Sequence, residues 1–198
     1  MLTRPICLTL MSLTLAAGTA AAQTDSVAGP RRIAPEGVYR ASALVDSVFI
    51  DRLLPRAVVD GGDFAAYLMA RLGAHNLPPD FAFTVEIDTA LIRIAGRIAD
   101  LPPEARAALS QLVLLLPPDT RLEAQIELAQ AGREAVRFHL RTITVQGVPI
   151  PETFLIAVMA EIGRQYPVLT ATGRDLYVQM PLGATMALIP GAVALNGP

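Results

Sequence analysis

Only one cysteine occurs among the 198 residues, at position 7. A single thiol excludes an intrachain disulfide. With the N-terminal segment set aside, no thiolate nucleophile or cysteine metal ligand remains. Lysine is absent: all 16 basic residues are arginine, against 18 acidic ones, giving a formal net charge of −2. No basic run exceeds Arg31-Arg32, which argues against a nucleic-acid partner, because phosphate binding needs clustered positive charge. Tryptophan is absent and aromatics make up 5%. That disfavours an interfacial membrane helix, whose anchors are usually Trp or Phe.

Catalytic signals are equally sparse. There is no GxGxxG, P-loop, HExxH or GxSxG pattern. His139 lies in a row with Arg137 and Arg141 that is expected to face water, and no serine or cysteine motif accompanies it. His75, in GAHNLPP, suits a helix C-terminus as well as a ligand role. Asp60-Gly61-Gly62-Asp63 sets two carboxylates on a turn but lacks the regular oxygen spacing of a calcium loop; helix capping by Asp63 accounts for it. Glu104 and Glu152 each follow a proline in a first helical turn, where negative charge meets the helix dipole. They form no glycosidase pair. No catalytic residue, metal ligand or cofactor is expected.

What is present begins with MLTRPICLTLMSLTLAAGTAAAQ. Arg4 supplies a positive start, Ile6 to Ala17 a short apolar core, and Ala20-Ala21-Ala22 the small-x-small pattern that signal peptidase recognises. A signal peptide over 1–22 is predicted, with a secreted or periplasmic product. The run falls short of the roughly 20 apolar residues that span a bilayer. Cleavage after Ala22 leaves 176 of 198 residues, and no transmembrane segment is expected in them. It also removes Cys7 and one arginine, so 15 basic residues face 18 acids, a net charge of −3. Residues 23–37 are expected to form a flexible leader. Residues 38–198 suit a single domain that buries about 70% of its unfolded surface.

Within the domain, residues 38–60 fit either a helix broken at Pro55 or an early strand. DFAAYLMARLGA (63–74) fits a helix capped by Asp63. Phe81, Phe83, Val85 and Ile87 alternate with polar or small residues as a half-buried strand does. Ile92, Ile94 and Ile98 continue a second strand, with a turn at Thr89-Ala90 that sets Glu86 opposite Arg93. A proline-bounded helix is predicted within 100–119. In RLEAQIELAQAGREAVRFHLR, a turn centred on Gly132 pairs Glu127 with Arg137, Gln125 with His139, and Glu123 with Arg141. Parity then flips at Ile143 and Val145, which predicts a bulge or corner. Strands near Asp175–Met180, Ala184–Ile189 and Ala192–Leu195 close the chain, with Pro190-Gly191 in a type II turn. The fold class is α+β: a curled antiparallel sheet of about six or seven strands packed on three or four helices.

VQGVPIPETFLIAVMAEI (145–162) leads from a strand through two prolines into a helix that is apolar on nearly every side. Phe154, Leu155, Ile156, Val158, Met159, Ile162 and Tyr166 form a broad arc, and only Ala157, Glu161, Arg164 and Gln165 a narrow polar strip. A helix with one buried face does not need this. Three explanations compete: a helix sandwiched in the core, a groove holding a lipid or other greasy ligand, and a subunit or membrane-surface contact.

The stretch ITVQGVPIPETFLIAVMAEI, a strand–GxPxP–helix joint, and the later MPLGATMALIPGAVAL resemble bacterial envelope proteins of the tubular lipid-binding (TULIP-like) type, such as the lipomannan-elongation-promoting family. The resemblance covers Asp80 to Leu195. It implies long curled strands around a helix, an acyl chain in the cleft between them, and lipid binding or shuttling without cofactor or catalysis. Residue by residue it points to Phe154, Val158 and Ile162, and to the strand faces opposite. Phe83, Val85, Phe138 and Leu140 are the strand residues set against them. The expectation is a non-enzymatic secreted protein holding a lipid or other apolar small molecule between helix and sheet. The alternative is an envelope scaffold or interaction module that buries its apolar helix in a partner or homodimer.

Overall fold

The structure, a computed structural model, describes residues 29–71, 77, 81–101, 116–166 and 169–198. The predicted helix between the prolines at 102–103 and 117–118 lies outside these residues, as does His75. Among the described residues the chain is α+β, with eleven strands in two antiparallel sheets and three α-helices. The strand number exceeds the predicted six or seven, and the larger sheet is not strongly curled. No described helix is long and apolar enough to cross a membrane.

The first elements resolve the ambiguous segment. β1 (Arg31–Arg32) pairs with Thr84 and Val85, and Ile33 behind it is fully buried, so residues 29–37 of the expected leader belong to the fold. α1 (Glu36–Phe49) buries Gly37, Ala41, Val45 and Val48, spaced at three and four residues along one face. β2 (Arg56–Asp60) follows a turn at Pro55, so the segment contains both a helix and a strand. α2 spans Gly61–Arg71, beginning two residues earlier than Asp63. Asp60 caps it instead: its Oδ1 accepts the Gly62 N–H at 2.8 Å. Asp63, in the first turn, binds the Arg40 guanidinium of α1 at 2.6 Å, which ties the two helices together.

The eight-stranded sheet runs β1, β3 (Thr84–Ile87), β4 (Leu91–Arg97), β5 (Arg121–Gln130), β6 (Ala135–Val145), β9 (Asp175–Gln179) and β8 (Leu169–Thr172), with β7 (Val148–Pro149) attached to β6. β3 (Thr84–Ile87) and β4 (Leu91–Arg97) place Glu86 opposite Arg93, as predicted, with an ion pair at 3.7 Å. Asp88 makes the turn between them, its Oδ1 accepting the Ala90 and Leu91 N–H groups at 2.7 Å each. These two amides hold the Asp88 carboxyl below the usual carboxylate range, with Arg93 adding to the effect. Ile98 has left the strand for a 3₁₀ turn over Ile98–Asp100.

β5 (Arg121–Gln130) and β6 (Ala135–Val145) correct the predicted register by two residues: Glu127 faces His139, and Ala129 faces Arg137. The cause is the loop, since the Ala131 N–H still donates across to the Ala135 carbonyl at 2.8 Å, and Gly132 (φ 72°) begins the three residues left between them rather than centring the turn. A shift of two conserves the side-chain faces, so the apolar assignments survive. The predicted bulge is present. Ile126 faces Leu140 while Gln125 faces Thr142, leaving Arg141 as the extra residue. Glu123 therefore faces Thr144 rather than Arg141, and Arg141 pairs ionically with Glu127 at 3.2 Å.

A two-residue turn at Gln146 (φ 50°) and Gly147 (φ 81°), both left-handed, joins β6 to β7 (Val148–Pro149). Such a turn matches the strand twist. Pro151 is the residue before α3 (Glu152–Gln165), extended at ψ 143° rather than inside the first turn. α3 leads to β8 (Leu169–Thr172) and β9 (Asp175–Gln179). β10 (Thr185–Ile189) and β11 (Ala192–Asn196) join β2 in the second sheet, around the predicted Pro190-Gly191 turn with Gly191 at φ 74°. β11 is its central strand and is buried on both faces from Ala192 to Leu195. The core joins this small sheet, α1 and α2 to the inner face of the large sheet.

Candidate functional site

The inner face of the large sheet is set by register. Across β3, β4, β5 and β6, one row reads Val85, Ile94, Ala124 and Ile143, and its neighbour reads Ile87, Ile92, Ile126 and Leu140. The second row is bulky throughout. The first drops to a single methyl at Ala124, and Gly96, next along β4 on the same face, has no side chain at all. The Phe83 ring fills the space over Gly96: a Cβ added there would stand 2.5 Å from the ring. Phe81 stacks behind it at 5.0 Å. What Ala124 leaves open is a cleft of about 160 Å³.

Its walls are Phe83, Ile94, Leu101, Leu122, Ile143 and Ile150, its floor is Ala124, and Glu123 contributes to the lining. Two backbone devices assemble it. The Arg141 bulge turns Ile143 inward; without the extra residue, alternation would send Ile143 to the outer face. The Gln146-Gly147 turn brings the chain back so that the Ile150 N–H donates to the Ile143 carbonyl at 2.8 Å. Ile150, directly before Pro151 and α3, thereby stands beside Ile143 and joins the lining. The cleft is open on one side, and its volume is that of a benzene-sized group rather than of a whole lipid.

Of the residues singled out in the sequence, Phe83 lines this cleft. Val85, Phe138 and Leu140 are buried at 1%, 8% and 6% exposure and belong to the general core. Ile162 packs against that core from α3, while Phe154 and Val158 are half-buried. The residues of α3 that enter the buried core are Leu155 and Met159. On its opposite side Ile156 is 40% exposed, alongside exposed Thr153, Ala157 and Ala160. The apolar excess of this helix thus divides between core and surface. Ile94, Leu122, Ala124, Ile143 and Ile150 were not singled out; the parity flip at Ile143 was the sequence signal for one wall.

The outer face of the sheet carries polar chemistry. His139 stands opposite both Glu127 and Asp175. Its Nδ1–H donates to Asp175 Oδ1 at 2.7 Å, and Arg137 approaches the same oxygen at 3.9 Å. The imidazole is half-buried rather than fully in water, at 24% exposure. A carboxylate thus orients the histidine, and among the described residues no serine or threonine hydroxyl bonds to it. Among the described residues no three acidic, histidine or cysteine side chains gather to hold a metal ion. Comparison with family models, curated proteins and solved structures finds no match.

Proposed function

We propose that the protein is a non-enzymatic binder of an apolar ligand, exported to the periplasm or beyond, with the ligand's apolar end seated in the cleft over Ala124. The carrying observation is the cleft itself, a hollow made by one small residue in an otherwise bulky inner face. Apolar burial supplies the affinity, at about 0.8 kcal/mol per methylene. About six carbons in a space of this size contribute on the order of 5 kcal/mol before the cost of immobilising the ligand.

The test is native mass spectrometry on protein purified without detergent, followed by organic extraction. An apolar species at defined stoichiometry is expected. Ala124→Leu, which fills the floor of the cleft, should release that species while leaving the fold intact. A clean apo protein, or a ligand retained unchanged by Ala124→Leu, would refute the reading.

A further inference from the structure

Away from the cleft, the connection from α1 to β2 displays its apolar side chains outward. Ile50 is 68% exposed, Leu53 73% and Leu54 40%. The backbone that carries them is not loose. The Ile50 and Asp51 N–H groups both donate to the Asp46 carbonyl, and those of Leu53 and Leu54 to the Ser47 carbonyl, at 2.8–3.1 Å. Arg52 between them is left-handed at φ 54°, a conformation that costs free energy for a residue with a side chain. A second apolar tip lies close by. Leu182, 56% exposed, precedes Gly183, whose added Cβ would meet Pro198 at 3.7 Å, and the Gly197 N–H donates to the Pro55 carbonyl at 2.9 Å. Gly197 and Pro198 thus lie against both segments.

Charge distinguishes the kinds of partner. From Ile50 to Arg56 the chain carries two arginines and one aspartate, +1 on a chain of net charge −2. Arg52 and Arg56 are exposed, and neither makes an ion pair with a described residue. A second copy docked symmetrically on this loop would bring these arginines toward their own counterparts. A stable protein interface takes about 800 Å² from each side, more than these few aliphatic side chains supply. Aliphatic tips flanked by unpaired guanidinium groups suit the boundary between acyl chains and anionic headgroups, where both requirements are met together.

We propose that the Ile50–Arg56 loop, with Leu182 beside it, is a membrane-docking edge that inserts its aliphatic side chains into an anionic lipid surface. The inference stands on this loop and not on the cleft. Docking would place the protein where an apolar ligand could be taken from or delivered to a bilayer.

The experiment is co-sedimentation of the purified protein with phosphatidylglycerol-containing vesicles and with phosphatidylcholine vesicles, at low and high salt. Binding to the anionic vesicles, weakened by salt, is expected. Leu53→Asp should lower it at least about tenfold, with an unchanged melting temperature because the side chain is exposed. Leu53→Ser, carrying no charge, should lower it in the same direction. Arg52→Gln with Arg56→Gln should remove most of the salt dependence. Protein that stays in the supernatant, or Leu53 variants that sediment like wild type, would overturn the proposal. So would a dimer in light scattering that Leu53→Asp converts to monomer, because the loop would then be a protein contact. Ligand retention measured on the same Leu53 variants separates a failure here from a failure of the cleft reading.

Discussion

Gly96→Ala tests the wall of the cleft most directly. A strand glycine replaced by alanine in open space gains about 0.4–1 kcal/mol through the unfolded chain. Here the sign reverses. The new Cβ would stand 2.5–2.6 Å from three carbons of the Phe83 ring, against an ordinary contact of about 3.5–4.0 Å. The ring must therefore retreat by about 1 Å. Phe81, stacked at 5.0 Å and inclined by 12°, limits retreat on one side, so the ring moves toward the cleft that it lines. Overpacking of this kind costs about 1–3 kcal/mol, and the adjoining void places the cost in the lower half of that range. For a chain of this size each kcal/mol lowers Tm by about 2–4 °C. A fall of roughly 2–8 °C is expected in thermal denaturation, with loss of the extractable ligand. Adding Phe83→Leu to Gly96→Ala should return part of the stability, because the smaller side chain yields the space. A Gly96→Ala protein that melts as wild type and keeps its ligand would show that the ring does not wall the cleft.

The two sides of α3 should respond differently to truncation. Leu155, at 2% exposure, should lose about 2–5 kcal/mol on replacement by alanine, whereas Ile156→Ala, at 40% exposure, should stay within about 0.5 kcal/mol; equal losses in urea denaturation would contradict the division of the helix into core and surface faces. Asp88→Asn, which keeps an acceptor for the Ala90 and Leu91 amides but removes the charge, should reshape the acid limb of stability. Because the folded-state pKa is depressed below the ordinary 3.8, the carboxylate's contribution is complete above that ordinary value and is lost as pH falls through the depressed one. The wild-type advantage over Asp88→Asn should accordingly be present at neutral pH and vanish in strong acid; a difference constant across pH would refute it.

Alternation and turn chemistry were legible wherever one face is buried and the other wet. The Glu86–Arg93 pair, the Pro190-Gly191 turn and the bulge announced by Ile143 and Val145 all follow from period-two patterning. The β5–β6 register escaped because a glycine shows that the chain turns, not whether it begins or centres the loop; the two-residue error is invisible to a face assignment. β1 and β7 have two residues each, too short for any period. The cap of α2 was displaced because Asp60 and Asp63 are both good cap residues, and the Arg40 partner of Asp63 comes from a different helix.

The candidate site was less legible for a related reason. Hydropathy marks residues that leave water, and Val85, Phe138 and Leu140 do so as thoroughly as any wall of the cleft. A hollow is instead made where a side chain is small, and Ala124 gives little signal of its own. Its significance appears only when register aligns it between Ile94 and Ile143. That alignment depends on Arg141, a charged residue whose contribution is to be one residue too many on β6. Remove the extra residue and Ile143 points outward, Ile150 loses the carbonyl that anchors it, and the inner face loses a wall without the loss of a single apolar residue. The greasy helix that first suggested a ligand therefore supplies the ordinary core through Leu155 and Met159, while the space in the inner face comes from an irregular strand and the small residue Ala124 beside it.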